Sequence, residues 1–217
     1  MKHAAMTALA LALTLTLGLS FVRADEALSR GQAGDTLTPL ALGNTWVYED
    51  ADADLIHTER IEGVVTFDQT SWYMLRNYER EIGQPPAKNE SIDLEYWLAF
   101  HDGYECDTIM HVDEETQILK PGGINKAHRY PAKLGDQYHP YADDQDATVT
   151  VLALNEKVTT KAGVFDCIVY KETSTQDESF NFTTYIAPGV GVVKSTFIEE
   201  GQTYTSELIS YTLVEKD

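Results

Sequence analysis

Residues 101–114 read HDGYECDTIMHVDE and bring His101, Asp102, Cys106, His111, Asp113 and Glu114 together, side chains of the types that bind zinc or copper. The spacing argues against a preformed site. Residues five apart on a strand face opposite sides, so Cys106 shares a face with neither His101 nor His111. No Cys-x-x-Cys, His-x-His or His-Glu-x-x-His pattern occurs anywhere in the chain. The simpler reading is a hairpin turning at Asp102-Gly103 with polar residues at its ends. No metal ligand and no cofactor is assigned.

A second acidic run, YEDADADLIHTER, spaces Asp50, Asp52 and Asp54 like the start of a calcium loop. A helix–loop–helix calcium site needs Gly at its sixth position and Glu at its twelfth. Leu55 and Ile61 stand there instead, which excludes that motif. A loose surface calcium site, with Asp143, Asp144 and Asp146 of another acidic loop, stands against the plainer reading of solvated hairpin tips. Hydrolytic motifs are missing too: there is no Gly-x-Ser-x-Gly elbow and no Ser-x-x-Lys. Two carboxylates meeting in a cleft would suit a glycosidase, and 35 acidic residues leave that alternative open. No catalytic residue is assigned.

The remaining candidates are apolar. Trp46, Trp72, Trp97, Phe100, Tyr104, Phe180 and Phe182 all fall on predicted strands. On a curled sheet, the concave face could hold an apolar ligand between them; the alternative is that they form the ordinary core. Cys106 and Cys167 are the two cysteines of the chain. After export, a bridge between them would close a long loop and stabilise the fold by about 4 kcal/mol on a chain-entropy model. Two separate buried thiols are the other reading.

These residues are carried by strand after strand. IDLEYWLAF alternates, with Ile92, Leu94, Tyr96, Leu98 and Phe100 opposite Asp93 and Glu95. SFNFTTYI sets Phe180, Phe182 and Ile186 against Ser179, Asn181 and Thr183. TSWYMLRNY, ATVTVLAL and QTYTSELISYTLV are rich in β-branched and aromatic residues. Turn signals such as HDGY, KPGG, APGVG and EEGQ separate the runs. In TTKAGVFDCIVYKETS, Gly163 marks a tight turn or bulge, after which Phe165, Cys167 and Val169 face one way and Ile168 and Tyr170 the other. Only DEETQILK, residues 113–120, has the look of a helical turn. PLALGNTW (39–46) is echoed by PAKLGDQY (131–138), and YWLAFHDGY more loosely by YIAPGVG, at separations of 92 and 89 residues. One unit used twice would explain the echo, as would shared turn chemistry.

The N-terminus reads as a targeting segment. Lys2 and His3 precede an apolar stretch, and Val22 and Ala24 occupy the positions that a signal peptidase reads. Residues 1–24 are therefore expected to be a signal peptide, 25–38 a polar lead, and 39–217 a single antiparallel β domain with no membrane-spanning helix. Cleavage after Ala24 removes two basic residues and no acid, taking the net charge from −19 to −21. Such a surface repels nucleic-acid phosphates, so nucleic acid is excluded as a partner.

Three stretches, Pro39-x-x-x-Gly43-Asn44-x-Trp46, KAGVFDC and YIAPGVGVVKS, together resemble a widespread group of uncharacterised exported bacterial β proteins. In that group a Pro-x-x-x-Gly-x-x-aromatic signal is followed by Ala-Gly-x-Phe-x-Cys and then Tyr-x-Ala-Pro-Gly-x-Gly-x-Val-Lys. The likeness runs from about Pro39 to Lys194. It implies a long antiparallel sheet, curled like the half-barrels of periplasmic lipoprotein carriers, and it brings no catalytic residues.

The expectation is an all-β protein built on one long curved antiparallel sheet or open half-barrel, in one reading from two related halves. Its role would be non-catalytic, in the periplasm or outside the cell, holding an apolar small molecule or an envelope protein on the curved face. A hydrolase with paired carboxylates and a calcium-stabilised structural surface protein are the alternatives.

Overall fold

The alternating runs fold as strands in the computed structural model, which describes residues 36–85, 91–112, 119–142, 144–177, 180–199 and 201–214. The elements are β1 Thr45–Asp50, β2 Leu55–Phe67, β3 Thr70–Glu81, β4 Ser91–His101, β5 Tyr104–Thr108, β6 Met110–Val112, β7 Leu119–Pro121, β8 Asn125–Arg129, β9 Gln137–Tyr138, β10 Ala147–Thr160, β11 Gly163–Ser174, β12 Asn181–Ala187, β13 Gly191–Glu199 and β14 Gln202–Thr212. Among the described residues there is no helix. Twelve strands make one antiparallel sheet in the order β8-β5-β4-β3-β2-β1-β14-β13-β12-β11-β10-β9, and β6 pairs with β7 separately. The all-β, single-sheet expectation therefore holds. The signal peptide and most of the polar lead lie outside the described residues. The helical turn expected over 113–120 is corrected where it can be seen, because Leu119 and Lys120 belong to β7.

The sheet order is that of two meanders joined along the β1–β14 ladder. The sequence echo has a structural counterpart at the start of each. Gly43 and Gly135 both adopt positive φ, 90° and 80°, a conformation open to glycine because it has no Cβ. The Gly43 amide donates to the Ile61 carbonyl, and the Ile61 amide returns a bond to the Asn44 carbonyl, each at 2.9 Å. Gly135, Val151 and Asp136 repeat both bonds at the same length. Two residues beyond each anchor the ladder shifts register, between Ile61 and Gly63 on β2 and between Val151 and Ala153 on β10. A bulge there increases local twist. The same turn, anchor and bulge thus open both halves of the sheet.

The sheet bends back on itself, and strands far apart in its order share apolar clusters. One cluster joins Trp72, Trp97, Ala99, Tyr104 and Cys106 of β3–β5 to Val149, Val151, Ile168, Tyr170 and Ile186 of β10–β12. Leu37, at the end of the polar lead, is fully buried in it. The other cluster joins Trp46, Tyr48, Leu75 and Leu98 to Phe165, Cys167, Val193 and Leu208. On β11 the two expected faces separate as the alternation requires, Phe165 and Cys167 into one cluster and Ile168 and Tyr170 into the other.

The sheet does not close into a barrel by a ladder, yet its two edges meet. Edge strand β8 turns four backbone groups away from β5. The Lys126 amide donates to the Pro140 carbonyl at 2.8 Å. The Tyr138 hydroxyl donates to the Ala127 carbonyl at 2.9 Å and accepts from the Arg129 amide at 3.1 Å. The Tyr170 hydroxyl donates to the Arg129 carbonyl at 2.7 Å. Two tyrosines do here what a further strand would do, and an edge that could recruit another chain is covered.

Candidate functional site

Curling leaves space inside. Cross-strand pairing sets Trp46 opposite Glu59 and Tyr48 opposite His57 on β1 and β2, Leu75 opposite Tyr96 on β3 and β4, and Leu98 opposite Asp107 on β4 and β5. With Phe182 and Thr184 of β12, these residues line a cavity of about 280 Å³. A second cavity of about 280 Å³ shares Asp107, Ala127, His128, Phe182 and Thr184 with the first and continues to Tyr141, Tyr170 and Glu172. A third, about 220 Å³, shares Asp50, Ser195 and Ser206 with the first and is walled by Phe197 and Tyr204. The three cavities are neighbours that share these lining residues.

The walls are fixed by hydrogen bonds to the β12–β13 turn. Trp46 Nε1 donates to the Val190 carbonyl at 2.6 Å, and the Tyr48 hydroxyl donates to the Val192 carbonyl at 3.0 Å. Gly191 permits this approach, since a Cβ there would lie 3.3 Å from Trp46 Nε1. The Tyr48 and His57 rings stack at 4.7 Å, and His57 Nδ1 bonds Asp50 Oδ2 at 2.8 Å. Asp50 also faces Ser206 across the β1–β14 ladder, and the Ser206 hydroxyl favours its charged form.

The interior carboxylates divide by partner. Asp50 bonds His57; Glu105 bonds His128 Nδ1 at 3.2 Å and accepts from the Thr38 amide at 3.1 Å. Glu59 accepts from the Tyr96 hydroxyl at 3.1 Å, Asp107 from Asn125 Nδ2 at 2.8 Å, and Glu172 from the Tyr141 hydroxyl. Burial pushes Glu59, Asp107 and Glu172 above the usual carboxylate range, and their hydrogen bonds and nearby imidazoles offset only part of it. At Asp50 burial pulls in the same direction but is outweighed by the bonds from His57 and Ser206 and the charge of His57, so this carboxyl sits low. His57 is held above its ordinary value: burial alone would lower it, and Asp50, Glu59 and Glu79 outweigh that.

Of the seven aromatics singled out from the sequence, Trp46 and Phe182 line the first cavity, and Phe180 joins Phe182 at the second. Trp72, Trp97 and Tyr104 are packed in the first core cluster, and Phe100 lies at the surface, 39% exposed. The polar lining was not anticipated. His57 and Glu59 alternate with Ile56 and Thr58, a pattern that reads equally well as a strand with one wet face. Cys106 and Cys167 are both buried free thiols, one in each cluster. Burial raises them to about 11 and about 12, which keeps them protonated and poorly nucleophilic at neutral pH.

The His/Cys/Asp segment does not converge. Asp102 and Gly103, both at positive φ, form a two-residue hairpin turn between His101 and Tyr104. His101 meets Asp102 at 3.3 Å, His111 is exposed on β6, and Cys106 is in the core; Asp113 and Glu114 lie outside the described residues. Among the described residues no group of three or more His, Cys, Asp or Glu side chains could hold a metal ion. Acids of the calcium-like runs serve the turns: Asp52 accepts from the Thr205 amide, Asp144 from the Asp146 amide, and Asp146 from Thr175 and Gln176. Asp143 lies outside the described residues.

No family model matches the sequence, and no curated protein matches it. Two crystal structures are similar in fold. One is a "putative lipoprotein" from Parabacteroides distasonis ATCC 8503, at 12% identity and TM-score 0.49. The other is a "putative exported protein with YmcC-like fold" from Bacteroides fragilis NCTC 9343, at 15% identity and TM-score 0.48. Each alignment covers 83% of this chain and all of the other.

Proposed function

We propose that this is an exported, non-catalytic binding protein that holds a small molecule with an apolar body inside the curl of its sheet. The observation that carries the reading is the first cavity, in which Trp46, Leu75, Leu98 and Phe182 form apolar wall between strands from both halves of the sheet. Concave, largely preformed space of about this size is what small ligands use. Export rests on the N-terminal targeting pattern, with the periplasm or the exterior as destination. The test is titration with the neutral fluorophore N-phenyl-1-naphthylamine. Saturable enhancement is expected, and it should be lost in Ala127→Phe or Thr184→Trp, which fill the junction of the first two cavities. Equal enhancement in both variants places the probe elsewhere and contradicts the reading.

A second reading, hydrolysis by paired carboxylates, is favoured by one observation. The same cavity holds acids whose surroundings push them apart, Asp50 down and Glu59 and Asp107 up. Turnover of nitrophenyl glycosides that disappears in Glu59→Gln would support it, and an inert panel would sink it.

A further inference from the structure

The lining of the three cavities is lopsided in charge. Asp50, Asp52, Glu59, Glu105, Asp107 and Glu172 border them, and among the described residues no lysine or arginine does. His57 and His128 bond Asp50 and Glu105 directly, while Glu59, Asp107 and Glu172 take their hydrogen bonds from neutral groups and gain from the nearby imidazoles only part of what burial costs them. A carboxylate shielded from water without a cation is costly, and folding keeps it only with compensation or protonation.

Aromatic faces accompany the acids. Trp46 and Phe182 lie inside, and at the third cavity Phe197 and Tyr204 stack at 6.5 Å. Electron-rich ring faces attract ammonium groups, more strongly where water is excluded. A bare metal ion does not suit this wall. The described residues offer no three-ligand cluster, and Leu75, Leu98 and Val192 would contribute nothing to a metal.

We infer that the occupant is an organic cation, a molecule with an ammonium group and an apolar body. The ammonium sits by Glu59 and Asp107, and the apolar body lies against Trp46, Leu98 and Phe182. This rests on the proposed ligand-holding role of the cavity and specifies its chemistry.

Three probes with an eight-carbon chain, below their micellar concentrations, separate the two claims: octyltrimethylammonium, 1-octanol and octanoate, titrated calorimetrically into the full mature chain. The cation is expected to bind about tenfold or more tighter than 1-octanol, with octanoate weakest; tenfold corresponds to about 1.4 kcal/mol. In Glu59→Gln/Asp107→Asn that preference should fall about fivefold or more while 1-octanol binds as before. Glu59→Gln alone, which keeps size and shape, should show a smaller loss of the same sign and serves if the double variant does not fold. Equal binding of cation and alcohol overturns the cation inference and leaves the cavity reading standing. So does a preference that survives both substitutions, because it then comes from the acidic surface. Absence of binding by all three probes overturns the cavity reading itself.

Discussion

At Glu59, burial inside the curl works against the charged carboxylate, and the Tyr96 hydroxyl and the nearby His57 offset only part of that. Its folded-state pKa is raised, so the native state binds more protons than the unfolded chain. The stability it contributes is present below the ordinary carboxylate value and is lost as pH climbs through the raised one. Asp107 and Glu172 have the same sign. His57, also raised, contributes fully below its ordinary value and loses that contribution as pH rises through its folded value. Asp50 runs the other way: lowered, it contributes above its ordinary value and loses this as pH falls. The melting temperature should therefore fall as pH rises from the ordinary carboxylate value past the ordinary histidine value, and Glu59→Gln should flatten the fall by a few degrees, since 1 kcal/mol moves a domain of this size by about 2–4 °C. A slope unchanged in the variant would remove Glu59 as a contributor. The cysteines give a separate check. Both should resist a thiol reagent in the native protein and both should react on denaturation without reductant; two thiols silent after denaturation would mean a bridge.

Strands β8 and β9 are the edges of the sheet, and their junction hangs on two hydroxyls. Tyr138→Phe strands the Ala127 carbonyl and the Arg129 amide, and Tyr170→Phe strands the Arg129 carbonyl. Each is expected to cost about 1–3 kcal/mol and to speed amide exchange at Arg129 more than in the middle of the sheet; uniform exchange would mean that the seam is not a local feature. Replacing Gly43 or Gly135 by alanine puts a Cβ on a positive-φ residue of the repeated turn, at a cost of about 1–3 kcal/mol in either half. Markedly unequal losses would show that the two turns carry different loads. Most of this layer was readable in advance. Alternation in IDLEYWLAF, the Asp102-Gly103 hairpin and the paired Leu-Gly-Asn/Asp signals gave strands, a turn and a recurring unit, because local backbone preferences set them. The tyrosine seam was not readable, since it joins residues 127–129 to 138 and 170, and such contacts leave no mark on a local pattern.

The curl decides what the strands enclose. Trp46 and Phe182 could be picked out as candidates from their type, but Trp72, Trp97 and Tyr104 have the same type and line none of the three cavities, and Trp46 is itself packed in the second core cluster. What separates the two groups is which strands the bend brings face to face, a property of the whole sheet. The acids of the interior were illegible for a related reason, as an ionisable residue on alternate strand positions looks the same facing water or facing a cavity. Occupancy of the first cavity in the exported protein follows from the proposed role. It is tested most directly by native mass spectrometry of the chain purified from its own host's envelope fraction, before and after denaturation. Additional mass of a small organic molecule is expected, released by denaturation and not retained by Ala127→Phe. A bare polypeptide mass in the native spectrum, or an adduct retained equally by Ala127→Phe, would contradict it.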